Sequence, residues 1–405
     1  MFKPISISLS PNTERDDVWL AFKLLFQPWR WNLTENTSRW LEEEFREYLG
    51  AKYAFAFNSG RSALMAILNS LGLEQGSEVL LQAFTCNAVP NPVIWAGLKP
   101  VFVDVNEETF NIDIEDLKRK VSPKSRAVIV QHTFGLPADM DKIVKICQEN
   151  SLILIEDCAH ALGAKYKGRL VGTFGKAAFF SFSRDKVISS IYGGMVTTND
   201  DELAQKLEKY VRDIGYPSNC WIFQQLLHPV LMNWLILPTY EIFGKYLLIL
   251  FQWLQILSKA VHWKEKRGKK PGYFPKRMPN ALAILALNQF KKLEKFNVHR
   301  KEIADFYSKN LGGQLNEGSI YLRFPVKHPK AHDMIKKAWQ NNLLIGDWYT
   351  SPIAPADTQL DKIDYNIGSC PKAEKLSKET FNLPTHIKIN LTDARRVADF
   401  IKAYV

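Results

Sequence analysis

The chain has 405 residues, 46% apolar and 12% aromatic, with 21 Gly and 20 Pro. This composition excludes a collagen-like, low-complexity or wholly disordered protein and implies a large buried core, divided by length into two or three domains. Lys and Arg exceed Asp and Glu by 53 − 42 = 11, a surplus that suits an anionic partner such as a nucleotide, a phosphate or an acidic membrane without choosing among them.

The N-terminus has no basic stub followed by an apolar run and a small-residue cleavage site, which predicts a cytoplasmic protein. From Lys52 to about Asn199 short apolar runs alternate with helical patterns, as in strand and crossover-helix units of a parallel sheet. Strands are expected at Glu78–Phe84, Pro100–Val105, Ala127–Thr133, Leu152–Cys158 and Ala177–Ser183. These runs are apolar on both faces, so helices should cover both sides of the sheet. Ligands of such sheets lie beyond the carboxyl ends of the strands.

Three segments place polar residues there. In Phe57–Leu68, Ser59, Gly60, Arg61 and Ser62 precede an apolar helical pattern. They read either as ordinary capping residues or as a phosphate site built from the free N–H groups of a helix start. In LILIEDCAHALGA a hydrophobic strand ends in Glu156 and Asp157, with His160 three residues on. The carboxylate either caps the next helix or holds a cationic ring nitrogen, as a pyridinium cofactor requires. In FFSFSRDKVISSIYGG, Lys186 follows a strand end among Ser181, Ser183, Ser189 and Ser190. It is either a solvated surface lysine or a nucleophilic amine with a lowered pKa. A phosphate loop, a strand-end carboxylate and a lysine after a later strand are together the minimum equipment for pyridoxal phosphate.

Beyond Tyr216 the composition changes. Trp221–Trp263 is rich in Leu, Ile, Phe and Trp and nearly free of charge, and KEKRGKK (Lys264–Lys270) follows. Tyr240–Leu257 predicts one apolar helix with Glu241, Lys245, Gln252, Gln255 and Lys259 on a narrow polar stripe, a pattern that argues against a span and suits an in-plane interfacial helix. The alternative is a helical hairpin buried against the main domain or at a dimer interface. From Ala281 amphipathic helices return, then short strands and turns to Val405, as in a smaller α/β domain. Five cysteines, Cys86, Cys147, Cys158, Cys220 and Cys370, form no C-x-x-C pair and no ligand-like group with His, so no disulfide framework or metal centre is expected.

The order and spacing of SGRSAL, EDCAHALGA and SFSRDK resemble the DegT/DnrJ/EryC1/StrS family, pyridoxal-phosphate-dependent nucleotide-sugar aminotransferases of fold type I. The likeness extends through Ala96–Asp113, His132–Ile143, Arg277–Leu293 and Cys370–His386, covering nearly all the chain except about Pro217–Gly272. It implies an α/β fold with a large, mostly parallel sheet sandwiched by helices and a smaller C-terminal α/β domain. The expected division is an N-terminal arm (1–48), a cofactor-binding domain (49–216), an apolar insertion with a basic tail (217–272), and a linking helix with the small domain (273–405).

Carried over residue by residue, the resemblance makes Lys186 the Schiff-base lysine and proton carrier, and Asp157 the carboxylate that keeps the pyridine nitrogen protonated. Ser59, Gly60, Arg61 and Ser181 would hold the phosphate, and Phe84 would stack on the ring, within a residue or two. His160 stands where the family usually has Gln, and would donate to the ring's phenolic oxygen or stack on it. Pro275 stands where a partner-subunit Asn often meets the phosphate, and Arg61 replaces a small hydroxyl residue and would supply the missing charge. Relatives that turned to dehydration carry His in place of the lysine, so Lys186 favours transamination. The resemblance also implies a homodimer, with an amino donor and a keto-sugar nucleotide as substrates. The insertion adds an expected peripheral membrane contact through 221–270, on the inner face of the membrane. Two other functions stay open: a catalytically silent membrane-associated scaffold or regulator, and an enzyme acting on a lipid-linked sugar. No motif supports nucleic-acid binding.

Overall fold

The computed structural model describes residues 3–32 and 37–404; residues 1–2 and 33–36 of the expected arm, and Val405, lie outside them. After helices α1 (Arg15–Leu25) and α2 (Thr37–Leu49), strand β1 (Tyr53–Phe57) runs into α3 (Gly60–Ser70). Strands β2 (Glu78–Gln82), β3 (Lys99–Val103), β4 (Ser125–Gln131), β5 (Ile153–Asp157), β6 (Ala177–Ser181) and β7 (Gly194–Thr198) complete a seven-stranded sheet in the order β1-β7-β6-β5-β4-β2-β3. All neighbours are parallel except β7, which is antiparallel to β6 and β1.

The expected core strands form, but each leaves the sheet one or two residues earlier than its apolar run ends. Of the residues beyond the strand ends, the apolar Phe84, Val105, Cys158 and Phe182 are buried in the core without being part of the sheet. Residues of β2 are buried throughout and α3 is buried almost along its whole length, so the sheet is covered on both sides.

The small domain pairs β8 (Arg323–Lys327) with β9 (Thr380–Pro384) in antiparallel register. The arm belongs to this region too: Ile5–Ser6 pairs in parallel with Leu343–Leu344.

The insertion departs from expectation. Helix α4 (Asn219–Leu231) packs against α1 and sends Trp221, Ile222 and Leu226 into the core. The chain then bends by 107° between Asn219–Ile236 and Tyr240–Trp253. No single helix among the described residues is long and apolar enough to cross a membrane, although this bent pair is by length and composition. The bend falls just before Tyr240, so the expected helix over Tyr240–Leu257 forms as far as Trp253 and is corrected only at its end: α5 (Lys245–Trp253) stops there, and Gln255 takes a left-handed φ of 58°. Gln255 and Lys259 thus fall off the predicted stripe. Gly244 lets the two arms meet, since a Cβ there would stand 2.2 Å from the Ile236 carbonyl oxygen.

Candidate active site

Beyond the carboxyl ends of β4, β5 and β6 lies a cavity of about 260 Å³ lined by Ser59, Gly60, Arg61, Asp157, His160, Ser181 and Lys186. Seven of the eight expected site residues therefore meet in one pocket. Sheet register levels three lining residues, because Asp157 stands opposite Gln131 on one side and Phe179 on the other.

Asp157 is buried and its Oδ1 accepts the Ala159 N–H at 3.0 Å. Burial outweighs that bond and pushes the carboxyl up to about 6. Alternation sends the neighbouring Glu156 to the opposite face. There it accepts the N–H groups of Gly172, Phe174 and Gly175 at 2.7–2.8 Å and meets His132 at 3.3 Å. Cys158 lies near this His132–Glu156 pair. His132 Nδ1 accepts the Ala138 N–H at 3.1 Å and the Glu156 oxygens hold loop amides, so these contacts clamp the loop against the strand ends.

Lys186 lies in the connection between β6 and β7. Its carbonyl accepts Asn12 Nδ2, while buried Arg300 donates to the Val187 carbonyl at 2.7 Å and to Asn12 Oδ1 at 2.9 Å. Main-chain atoms on both residues are thus pinned while the lysine side chain stays free to enter the pocket. Burial lowers the amine's pKa, with Asp185 and Asp157 working the other way. Its Nζ stands 4.5 Å from the Trp348 ring centroid.

At the start of α3, Ser59 caps the helix by accepting the Ser62 N–H at 3.0 Å, as the capping reading of this segment expects. Gly60 and Arg61 supply the first amides of the helix, the orphan donors that suit an anion. A Cβ at Gly60 would stand 3.0 Å from the Ser181 Cβ, which shows how closely the hydroxyl of Ser181 approaches the loop.

Two expectations need correction. Phe84 is buried but does not line the pocket: its backbone is left-handed at φ 58°, and its ring packs 5.8 Å from Phe110 and 5.4 Å from Tyr349. Thr85 and Cys86 line the pocket instead, as β2 stops at Gln82 and a short new pairing joins Thr85–Cys86 to Ile353–Ala354. Arg61 is not a free charge awaiting a phosphate. Its Nε is 2.5 Å from the buried Glu265 Oε2, its Nη2 donates to the Ala260 carbonyl at 3.0 Å, and it lies over Phe274. Burial works against its charge and Glu265 more than restores it. Next to Pro275, the Tyr273 carbonyl accepts Asn58 Nδ2 at 2.8 Å, so this segment braces the loop of its own chain.

His160 is buried and held neutral, since burial, Lys186 and Arg323 all depress its pKa. Its Nδ1 accepts the Phe134 N–H at 3.4 Å, leaving Nε2 as the donor, 3.4 Å from Tyr349 Oη. Its ring stacks on Trp348 at 4.9 Å.

Sequence reasoning missed the small domain's share of the wall: Asp347, Trp348 and Tyr349 line the pocket. Arg323 lies over Trp348 and pairs with Asp185 at 2.9 Å. It also missed the insertion's returning segment, whose Ala260 and Val261 line the pocket. Lying far along the chain outside any motif, these residues gave no local signal.

The cradle fits pyridoxal phosphate on its own donor set: helix amides and Ser181 for an anion, a buried carboxylate for a ring cation, and an amine whose charge burial disfavours.

The sequence profile of the DegT/DnrJ/EryC1/StrS aminotransferase family matches residues 25–227 and 252–402. The GDP-perosamine synthase of Escherichia coli O157:H7 is 29% identical over 303 residues, 75% of this chain and 68% of that protein. The spore coat polysaccharide biosynthesis protein SpsC of Bacillus subtilis is 31% identical over 331 residues, 81% of this chain and 73% of that protein. Other curated relatives are spanned over only about half their length, 46% and 48% in two instances. Among solved structures, Helicobacter pylori PseC, an aminotransferase, superposes with a TM-score of 0.77 at 22% identity over 99% of both chains, a likeness of fold.

Proposed function

Because the chain belongs to the DegT/DnrJ/EryC1/StrS aminotransferase family, we propose that it moves an amino group from an amino acid, glutamate by family likeness, to a keto group of a nucleotide-activated sugar. Pyridoxal 5'-phosphate is the cofactor, and the product serves cell-surface polysaccharide. The names of the E. coli and B. subtilis relatives support the substrate class and the pathway. The observation that carries the reading is one pocket in which Lys186, Asp157 and the start of α3 converge.

When bound, the cofactor supplies an electron sink for the pair left as a proton leaves the carbon that bears the amino group. The protein's part is to hold and move charge. The amides of Gly60 and Arg61, with Ser59 and the Ser181 hydroxyl, take the phosphate. Asp157 would pair with the ring nitrogen and hold a proton on it. Lys186, whose charge burial disfavours, would hold the cofactor's aldehyde carbon through its amine, with loss of water, and its amine would carry the proton between the substrate carbon and the cofactor. His160 donates from Nε2 on the small-domain side, and Trp348 with Tyr349 excludes water. Residues 49–216 hold the cofactor, 217–272 form the insertion, and 273–405 close the pocket.

The reading includes a homodimer, supported by family likeness. It also includes a peripheral membrane contact of residues 221–270, supported by their exposed apolar side chains. The test is to convert the protein to its pyridoxamine form and offer keto-sugar nucleotides one at a time. Return of the aldehyde spectrum with one of them identifies the acceptor. A protein that takes up no cofactor, and stays colourless, would overturn the reading in favour of a silent scaffold.

A further inference from the structure

The family profile passes over residues 228–251, and that stretch contains the most unusual surface of the molecule. Helix α5 buries none of its residues. One side of the hairpin has its own small core, where Leu248 and Phe251 pack against Met232, Ile236, Leu237 and Leu257. The other side is apolar as well and faces outward: Tyr246 is 71% exposed, Ile249 57%, Leu250 43% and Trp253 77%. Spacings of three and four residues put these four on one stripe of the helix. Ile242 and Leu254 extend the stripe at its two ends, at 58% and 50% exposure. A helix apolar on both sides, with only one side covered by its own protein, needs a second apolar partner.

Charge selects the partner. Between Pro217 and Lys264 the only acidic residue is Glu241, whereas Lys245, Lys259 and Lys264 lie in or border the hairpin and KEKRGKK follows. Glu265, the one acid in that basic run, is consumed by Arg61 inside the protein, and Lys266 pairs with Asp357. Trp263 is half-exposed, with Lys264 and Arg267 within 5.7 Å of its ring centre. Tryptophans beside cations around an aliphatic stripe are the composition of a helix lying in the headgroup region of an anionic bilayer.

We infer that residues 240–256 dock on an anionic lipid bilayer, with Tyr246, Ile249, Leu250 and Trp253 entering the interface and the neighbouring lysines meeting the headgroups. This deepens the membrane contact proposed above and does not need the transamination reading. The docked hairpin leads straight to the pocket. Just past it, the Lys259 carbonyl accepts the Tyr192 hydroxyl at 2.8 Å and the Ala260 carbonyl accepts Arg61. A bilayer holding α5 would therefore lie a few residues from the cofactor wall.

The experiment is flotation of the whole protein with phosphatidylcholine vesicles, with and without phosphatidylglycerol, beside sedimentation analysis without lipid. The expected result is co-flotation with the anionic vesicles, weakened by salt and by omitting phosphatidylglycerol. The double variant Ile249→Ser, Trp253→Ser should lower the affinity by roughly tenfold or more. Both side chains are exposed, and the variant is to be checked for unchanged thermal unfolding and cofactor uptake. The Lys186→Ala protein should float like the unaltered one, which separates this inference from the catalytic reading. Failure to float, equal binding of the double variant, or equal binding to neutral vesicles would overturn the inference. A change of oligomeric state in the double variant, with no lipid binding by either protein, would assign the stripe to a second copy of the chain.

Discussion

Replacing Asp157 by Asn separates the cost of the buried carboxylate from its use. In the protein without cofactor, burial raises this carboxyl from 3.8 to about 6. The folded state thus keeps a proton that the unfolded chain has already released between those two values. Its stability contribution therefore falls as pH rises through that window and stays low above it. The difference is worth ~3 kcal/mol. Asn keeps the shape and can still accept the Ala159 N–H, and it carries no charge to bury. The cofactor-free variant should be more stable than the parent by up to ~3 kcal/mol at pH 8, and nearly equal to it at pH 4. In the loaded protein the sign reverses, because the ring cation loses its buried counter-charge. Breaking such a pair costs about 3–5 kcal/mol, so turnover should fall roughly 10²- to 10⁴-fold while colour persists. Thermal unfolding across pH and single-turnover kinetics read the two halves separately. A variant less stable than the parent at pH 8, or turning over within a factor of a few of it, would refute the reasoning.

Other outcomes follow from the same contacts. Glu265→Gln strips Arg61 of its buried partner, so the cofactor-free protein should lose about 3–5 kcal/mol; pyridoxal phosphate should then raise its unfolding midpoint more than it does in the parent, and pyridoxal lacking the phosphate should not. Phe84→Leu should cost about 1–3 kcal/mol of stability and leave cofactor affinity unchanged, as calorimetry would show, because the ring packs in the core. The His160 ring should show no titration in its NMR signals between about pH 5.5 and 8, since burial holds it neutral. Arg300→Lys should weaken the hold on the Lys186–Val187 backbone, lowering the rate of cofactor bonding more than cofactor affinity.

Much of the sheet was legible because its strands are short, apolar on both faces and bounded by helical patterns. Asp157, Ser181 and Lys186 stood out for a related reason: polar groups at the ends of such runs have no role in the core. Phe84 misled because it continues an apolar run, and only a left-handed backbone turns it from the pocket into the core. The end of the insertion's helix misled in the same way, as apolar residues continue past Trp253 to Leu257 while the left-handed backbone at Gln255 has already ended the helix. Trp348, Arg323 and Glu265 were illegible, since Trp348 reaches the pocket wall, and Arg323 and Glu265 reach its lining residues Asp185 and Arg61, from distant parts of the chain through tertiary packing alone.

The central claim is that the amine of Lys186 bonds pyridoxal phosphate covalently in this pocket. Borohydride reduction of the loaded protein, digestion and mass spectrometry test it directly. The account predicts the reduced cofactor on the peptide that contains Lys186, and none on the Lys186→Ala protein. A label spread over surface lysines, or equal labelling of that variant, would contradict it.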